Sequence, residues 1–372
     1  MGWRTTIQGQ GVSADGPGGR PRWDESAHYV LEPDEVAALR ADAELLHSMC
    51  LEAVDTVVTT ERYRDFGLPE WAWPALADSW KRRDPHLCGR FDFRYDGGGP
   101  AKLLEYNADA PTTLVEAAVA QWSWRAAVFP DGAQWNDIHR RLVARWTELT
   151  RLLPSGNVHF TWSGADPTGA DRALSGYLGQ TAADAGCDAV ALAIEDVGWD
   201  TMLHRFVDLE DAPISTVAKV YPWEWVVGDR FGRNAIDALP DTLWIEPLWK
   251  LLLADKALLA VLWEMYPGHP NLLPTFLDEP GMLTEYVRKP KLGRDGANIQ
   301  IIAPGYETRT AGVYGQEGHV CQLFDPLPEF DGRRPAVGVW IVGDQAVGLG
   351  VRESVGLVTD EHSVFVPHRV GS

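Results

Sequence analysis

Cysteine is scarce in this sequence: four among 372 residues, Cys50, Cys88, Cys187 and Cys321, with no C-x-x-C spacing. Thiols so spread cannot staple a chain of this length, and reduced, buried side chains are expected. Long apolar runs are also missing. A stretch such as Ala189 to Ile194 is far short of the roughly 20 residues that span a bilayer, so no transmembrane helix is expected. The N-terminus shows no basic segment leading into an apolar core, so no secretory signal is read and a cytoplasmic location is expected. Cations are outnumbered, 33 Lys plus Arg against 53 Asp plus Glu, for a net charge of −20. That balance argues against nucleic acid or an anionic membrane as partner, since both need clustered positive charge. The acidity confers solubility, or concentrates a cationic substrate. Ten histidines include no H-x-x-x-H pair, and no G-x-S-x-G elbow is present, so neither a zinc site nor a serine hydrolase is expected.

What is present suits an ordinary soluble globular protein. Hydrophobic residues make up 45% of the chain, and the 17 Trp read as packing groups rather than a ligand cage. Gly, Ser and Pro fill the first 22 or so residues, read as a mobile tail over 1–25. From Pro33, the spacing of Val36, Leu39, Leu45, Leu46, Met49, Leu51 and Val54 predicts a helix, and Glu70 to Asp84 a second, tryptophan-rich one. Further on, strand Val158–Trp162, helix Thr168–Ala185 and strand Ala189–Ile194 predict a βαβ unit with parallel pairing. A helix over Ala254–Trp263 and strands over Thr284–Arg288, Ile299–Ile302, Val337–Val342 and Ala346–Val351 predict a two-layer α+β unit towards the C-terminus.

The most informative stretch is Arg90-Phe91-Asp92 with Leu104-Glu105-Tyr106-Asn107-Ala108-Asp109-Ala110-Pro111-Thr112-Thr113. Gly97-Gly98-Gly99-Pro100 separates two short strand-like runs, Phe91–Tyr95 and Ala101–Tyr106, as in a hairpin that returns Glu105 towards Asp92. On a strand Glu105 and Asn107 share a face. Two carboxylates and an amide so placed can hold Mg²⁺ against phosphate oxygens, although acids near strand ends also cap turns or sit in water. Arg90 can stabilise a transferring phosphoryl group, or pair structurally with Asp92 or Asp109. Thr113-x-x-Glu116 reads as a capping box before the helical run Leu114–Trp124. Lys256 and Lys289 stand isolated among apolar residues, where a lysine can simply snorkel to solvent. The loop Gly293-Arg294-Asp295-Gly296 can turn backbone N–H groups towards phosphate, or serve only as a hairpin turn.

These motifs resemble the synthetase domain of glutathionylspermidine synthase and its stand-alone relatives, which characteristically read R-x-D and then L-E-Y-N-A-D-T-P-T-S. The likeness continues through Ile245–Trp249, Lys256 with Leu262-Trp263, Lys289-Pro290, Gly293–Asn298, Gln322–Pro328 and Val351-Arg352. It implies an α/β (α+β) ATP-grasp-like fold with a preceding βαβ pre-ATP-grasp domain and N-terminal helices. The division expected is 26–153 for the helices and metal-binding hairpin, 154–215 for the βαβ substrate domain and 216–372 for the nucleotide-clamping region. The resemblance further implies ATP and Mg²⁺ as cofactors and small-molecule acid and amine substrates, joined through an acyl phosphate. Lys256 and Lys289 are then phosphate contacts and the Gly293–Gly296 loop a lid. Gln322, Leu323, Phe324 and Asp325 form the adenine-contacting linker, and Thr112, Thr113 and Arg352 face the acid. The alternatives are a nucleotide-binding homologue that has lost ligation or serves an assembly, and a kinase that phosphorylates a small acid and stops.

The sequence departs from the family at two informative places. Its familiar Thr-Pro-Thr-Ser reads Ala110-Pro111-Thr112-Thr113, and the Lys-Thr-Trp of glutathione-using members reads Lys219-Val220-Tyr221. A lost hydrogen-bond partner in a polar pocket changes selectivity by several powers of ten, so glutathione is not assumed to be the acid.

Overall fold

The computed structural model describes residues 22–371. The expected tail lies outside them except for 22–25, of which Arg22, Trp23 and Asp24 are tied down. The Phe365 amide donates to the Arg22 carbonyl (2.8 Å), the Asp24 amide donates to the Phe365 carbonyl (2.9 Å), and Trp23 stacks on the Phe365 ring.

The first long helix, Pro33–Thr59, opens with proline at its first turn and a reciprocal cap between Glu32 and Glu35. Leu39, Ala43, Leu46, Cys50, Val54 and Val57 recur every three or four residues and are buried, whereas Leu45 falls off this stripe and is exposed. The buried face packs on a central antiparallel sheet. That sheet runs Val364–Val366, Gln345–Ser354, Arg334–Val342, Cys88–Arg94, Lys102–Asn107. The early hairpin is therefore completed by strands from the far end of the chain, which is why it cannot be assigned to an N-terminal unit by itself.

A second sheet is all parallel, in the order Asp188–Ala193, Asn157–Trp162, Thr216–Lys219, Leu243–Ile245. The helix Ala170–Asp184 connects its first two strands in sequence, giving the expected βαβ unit. The sheet does not stop at residue 215, where the sequence suggested a boundary. Two more strands join it, because each buries apolar residues such as Val217, Ala218 and Ile245 between covering layers. A third, antiparallel sheet runs Thr275–Leu277, His319–Leu323, Tyr286–Pro290, Gln300–Ala303, Tyr306–Arg309.

Two local expectations change. The helix expected over Ala254–Trp263 is two, Leu251–Ala254 and Ala257–Met265, because extended Asp255 interrupts it and its carboxylate accepts the Ala257 amide at 2.8 Å. The capping box at Thr113 does not form. Thr113 adopts φ +65°, its hydroxyl lies 3.2 Å from Arg90 Nη1, and the helix enters through a π turn over Glu116–Ala120. A buried guanidinium competes for the hydroxyl that would otherwise cap the helix. Among the described residues all four cysteines are free and buried, and no helix is long and apolar enough to cross a membrane.

Candidate active site

One wall of the site is the central sheet. Strand register sets Asp92 opposite Glu105 and Arg90 opposite Asn107, so these four side chains project from one face. The alternate residues Phe91, Phe93 and Tyr106 are buried, with the Phe91 and Tyr106 rings stacked at 3.8 Å. Arg90 grips Asp92 with two bonds, Nε to Oδ1 at 2.6 Å and Nη2 to Oδ2 at 2.9 Å. Its Nη1 donates to the Thr112 carbonyl, so most of this guanidinium is committed. Arg352, two strands away, donates Nη2 to Asp92 Oδ2 at 2.7 Å and makes no other side-chain hydrogen bond among the described residues. Asn107 Nδ2 donates to Glu105 Oε1 (2.8 Å) and Asp92 Oδ2 (3.3 Å). Gly338 pairs with Asp92 on the neighbouring strand, and a Cβ there would come within 2.9 Å of Arg90 Cδ. Only glycine leaves room for the Arg90–Asp92 pair.

The opposite wall comes from the third sheet and the broken helix. Lys256 sits in the Asp255 break, its ammonium 3.1 Å from Glu105 Oε2 and donating to the Gly293 carbonyl at 2.7 Å. Lys289 donates to Gln322 Oε1 (2.6 Å) and to the Leu104 carbonyl (3.1 Å). Both lysines therefore reach across to the Leu104–Glu105 strand. The Gly293–Gly296 loop rims the cleft, with Asp295 and Gly296 in left-handed conformation at φ +49° and +70°. Along Tyr286–Pro290, Val287 shares the Lys289 face and adds apolar surface with Ile301, Phe324 and Leu327.

Burial alone would raise the Glu105 carboxyl, but Lys256, the Asn107 amide and Lys289 outweigh it and hold the carboxylate well below its usual range. Lys289 is pushed down to about 8, by burial first and by neighbouring Lys256, with Glu105 opposing. Asp255, fully enclosed, is pushed up to about 6 by burial.

Of the residues singled out in the sequence, Thr113, Gln322 and Leu323 do not line this cleft; the others do. Thr113 lines a neighbouring cavity. Gln322 acts on the cleft from behind, accepting from Lys289 while its Nε2 donates to the Leu103 carbonyl at 3.1 Å. Leu323 ends its strand, and the cleft wall begins one residue later at Phe324. Sequence reading missed Asp255, Glu224 and Gly338, and also Val287, which the two-residue period from Lys289 could have found.

The neighbouring cavity is the larger of the two, and Ala110, Thr112, Arg294, Asp295 and Arg352 line both. It lies at the C-terminal ends of the parallel strands, reached by Ser163 after one and Val220 after another. Its wall carries Glu116, Asp166, Asp171, Asp360 and Glu361, with Arg22 beside Glu116. Asp171 is pushed up to about 6 by burial and by Asp166. At the junction, Arg294 donates to the Ala110 carbonyl (3.0 Å) and pairs with Glu224 at 3.4 Å. Below it, buried Lys219 pairs with Asp109, whose other oxygen accepts the Trp223 amide at 2.5 Å.

Comparison with known proteins gives a consistent result. Residues 1–371 match the family described as glutathionylspermidine synthase preATP-grasp. A Haemophilus influenzae protein named "Putative acid--amine ligase" is 39% identical over 93% of this chain and 90% of its own length. Trypanothione synthetase of Crithidia fasciculata is 29% identical over 94% of this chain. The bifunctional glutathionylspermidine synthetase/amidase of Escherichia coli is 29% identical over 91% of it. This chain spans 58% and 59% of the length of those two. Among solved structures, a glutathione synthetase-like effector from Globodera pallida in apo form superposes with a TM-score of 0.57 over 99% of this chain and 96% of its own, at 11% identity. That likeness concerns the fold, a mixed α/β ATP-grasp-like architecture of parallel and antiparallel sheets.

Proposed function

Because the chain belongs to the glutathionylspermidine synthase family, we propose that it is an ATP-dependent carboxylate–amine ligase that forms an amide through an acyl phosphate and releases ADP. One observation carries this reading: two carboxylates and a carboxamide from the early hairpin meet Lys256 and Lys289 from the later half across one cleft, and that cleft opens into a second cavity.

The residues fit a hard cation. Asp92, Glu105 and Asn107 cluster on one strand pair and offer few enough oxygens that phosphates and water would complete an octahedral shell. Mg²⁺ held there would neutralise charge on the triphosphate. Lys256 and Lys289 give up a carboxylate and carbonyl partners to phosphate oxygens, which bind an ammonium more strongly than a neutral carbonyl does. Val287, Ile301, Phe324 and Leu327 form the apolar slot suited to adenine.

At the junction Arg352 and Arg294 hold the acid's carboxylate next to the γ-phosphate, and Arg90 acts mainly by fixing Asp92. A carboxylate oxygen bonds to the γ-phosphorus as the bond to the ADP oxygen breaks. The amine nitrogen then bonds to the acyl carbon, phosphate leaves, and the amine gives up a proton. The acidic wall suits a cationic amine awaiting this second step.

The test is a screen of acid and amine pairs with ATP and Mg²⁺, following ADP and product mass. Amide product with ADP supports the reading. ADP and acyl phosphate formed with no effect of any amine points to a kinase, and nucleotide binding without turnover points to a non-catalytic homologue.

A further inference from the structure

The helix that follows the early hairpin opens with a π turn over Glu116–Ala120, closed by the Gln121 amide donating to the Glu116 carbonyl. Two side chains hold this widened turn in place. Gln121 Nε2 donates to the Ala117 carbonyl at 2.7 Å and to the Leu349 carbonyl at 2.6 Å, and Asn136 Nδ2 donates to the Ala117 carbonyl at 2.9 Å. The turn is thereby tied to the strand that carries Arg352, and it places Glu116 in the wall of the larger cavity.

Glu116 differs from its neighbours on that wall. Asp166 has both oxygens filled, Oδ1 by the Thr168 amide at 2.8 Å and Oδ2 by the Asp171 amide at 3.0 Å, and Asp360 Oδ1 accepts the His362 amide at 2.9 Å. The half-buried Glu116 carboxylate accepts from no other residue among those described. The charged groups acting on it most strongly are Arg22 from the N-terminal segment, Arg90 from the hairpin and Arg352 from the Gln345–Ser354 strand. Arg90 and Arg352 are the two cations that hold Asp92, so Glu116 stands beside the end of the cleft where the γ-phosphate would meet the acid. Asp171 faces Arg294 and Asp295 on the loop instead. Burial pushes the Glu116 carboxyl up, and the three guanidiniums oppose this only in part. A carboxyl so placed is suited to taking up and releasing a proton near neutral pH.

An alkylamine carries three protons on nitrogen at neutral pH, and an amide keeps one. One of the two lost protons must leave before nitrogen has a lone pair with which to attack. We propose that Glu116 accepts this first proton and so serves as the base that activates the amine. The inference rests on the ligase reading. Nitrogen then bonds to the acyl carbon, the bond from that carbon to the phosphate oxygen breaks, and phosphate leaves with the second proton. Glu116 returns its proton to water in the cavity.

The test uses the purified full chain with ATP, Mg²⁺ and whichever of acetate, glycine, glutamate and glutathione releases ADP fastest, and compares two nucleophiles. Hydroxylamine is neutral at pH 7 and attacks an acyl phosphate without a base, leaving a hydroxamate. Butylamine is an ammonium ion at that pH. Glu116→Gln should keep most of its hydroxamate formation, which also shows that the variant folds and activates the acid. Its amide formation from butylamine should fall on the order of a hundredfold to ten-thousandfold in kcat. Between pH 7 and 9.5 the variant should regain about tenfold per unit as free amine accumulates, while the native rate stays flat. Glu116→Asp, which keeps a carboxylate, should lie between the two. Equal loss with both nucleophiles, native amide formation in Glu116→Gln, or the selective loss appearing in Asp171→Asn instead, would overturn the inference while the ligase reading stands. No hydroxamate and no amide from the native chain with any acid would overturn both.

Discussion

The two cavities that meet at Arg294 and Arg352 are built in opposite ways. The cleft proposed to take the nucleotide draws its charged groups from a few short segments: Arg90–Asp92, Glu105–Asn107, Lys256, Lys289 and the Gly293 loop. Strand register then brings them together. The neighbouring cavity, proposed to take the acid, draws its lining from loops and from the first turns of helices, Ser163, Asp166, Val220, Trp225 and Asp360 among them. Groups that must hold one fixed anion are confined by geometry to a compact pattern. A cavity that sets selectivity by shape can be lined from anywhere the fold allows. Changes on the cleft side should thus strike binding and turnover of nucleotide, and changes on the cavity side should alter the acid while leaving nucleotide alone.

The largest effect is expected at Glu105. Glu105→Gln keeps the shape but removes the charge facing Lys256 and Lys289, and acid-dependent ADP release should fall on the order of a thousandfold. Next comes Lys289→Met, which should weaken ATP binding by roughly tenfold to a hundredfold, the loss of one or two charge-assisted hydrogen bonds. Lys289 also predicts a pH dependence. Its folded value of about 8 means the unliganded ammonium is largely protonated below that pH, and the anionic ligand favours the protonated form. Affinity is therefore fully present below pH 8 and lost as pH rises above it, about tenfold per unit until the bound-state value is reached. Calorimetry between pH 7 and 9.5 should show this slope in the native chain and lose it in Lys289→Met.

A smaller, structural effect is expected at Gly338. An added Cβ would press on Arg90 Cδ from 2.9 Å, so Gly338→Ala should destabilise the fold by about 1–3 kcal/mol in thermal melts and weaken ATP binding through a displaced Asp92. The smallest is on the other side of the comparison. Trp225 lines the cavity only, and Trp225→Ala should change KM for the acid a fewfold without moving the affinity for ATP. An equal loss at both sites would break the division between the two cavities.

That division also explains what could be read from the sequence. The hairpin carrying Asp92 and Glu105 was legible because alternating polarity and a Gly-rich turn fix both strands and register. The βαβ unit was legible from its apolar runs and the helix between them. Its two further strands were not, since Thr216–Lys219 and Leu243–Ile245 are short and join the sheet only through tertiary packing. Asp255 looked like one more residue in a helix, and only the fold reveals it as the break that points Lys256 into the cleft. Gly338 carries no local signal, because the group it makes room for lies about 250 residues earlier in the chain. The Arg90 guanidinium, read as a group for charge stabilisation, is mostly engaged by Asp92 and Thr112, which leaves Arg352 the more open cation.

The account depends on one triphosphate bridging the early hairpin and the later half of the chain. Calorimetric titration of a non-hydrolysable ATP analogue, with and without Mg²⁺, tests this in the native chain, in Glu105→Gln and in Lys256→Met. A single site that needs Mg²⁺ and is weakened at least tenfold by each substitution is the predicted result. Native affinity retained in either variant, or a site indifferent to Mg²⁺, would contradict it.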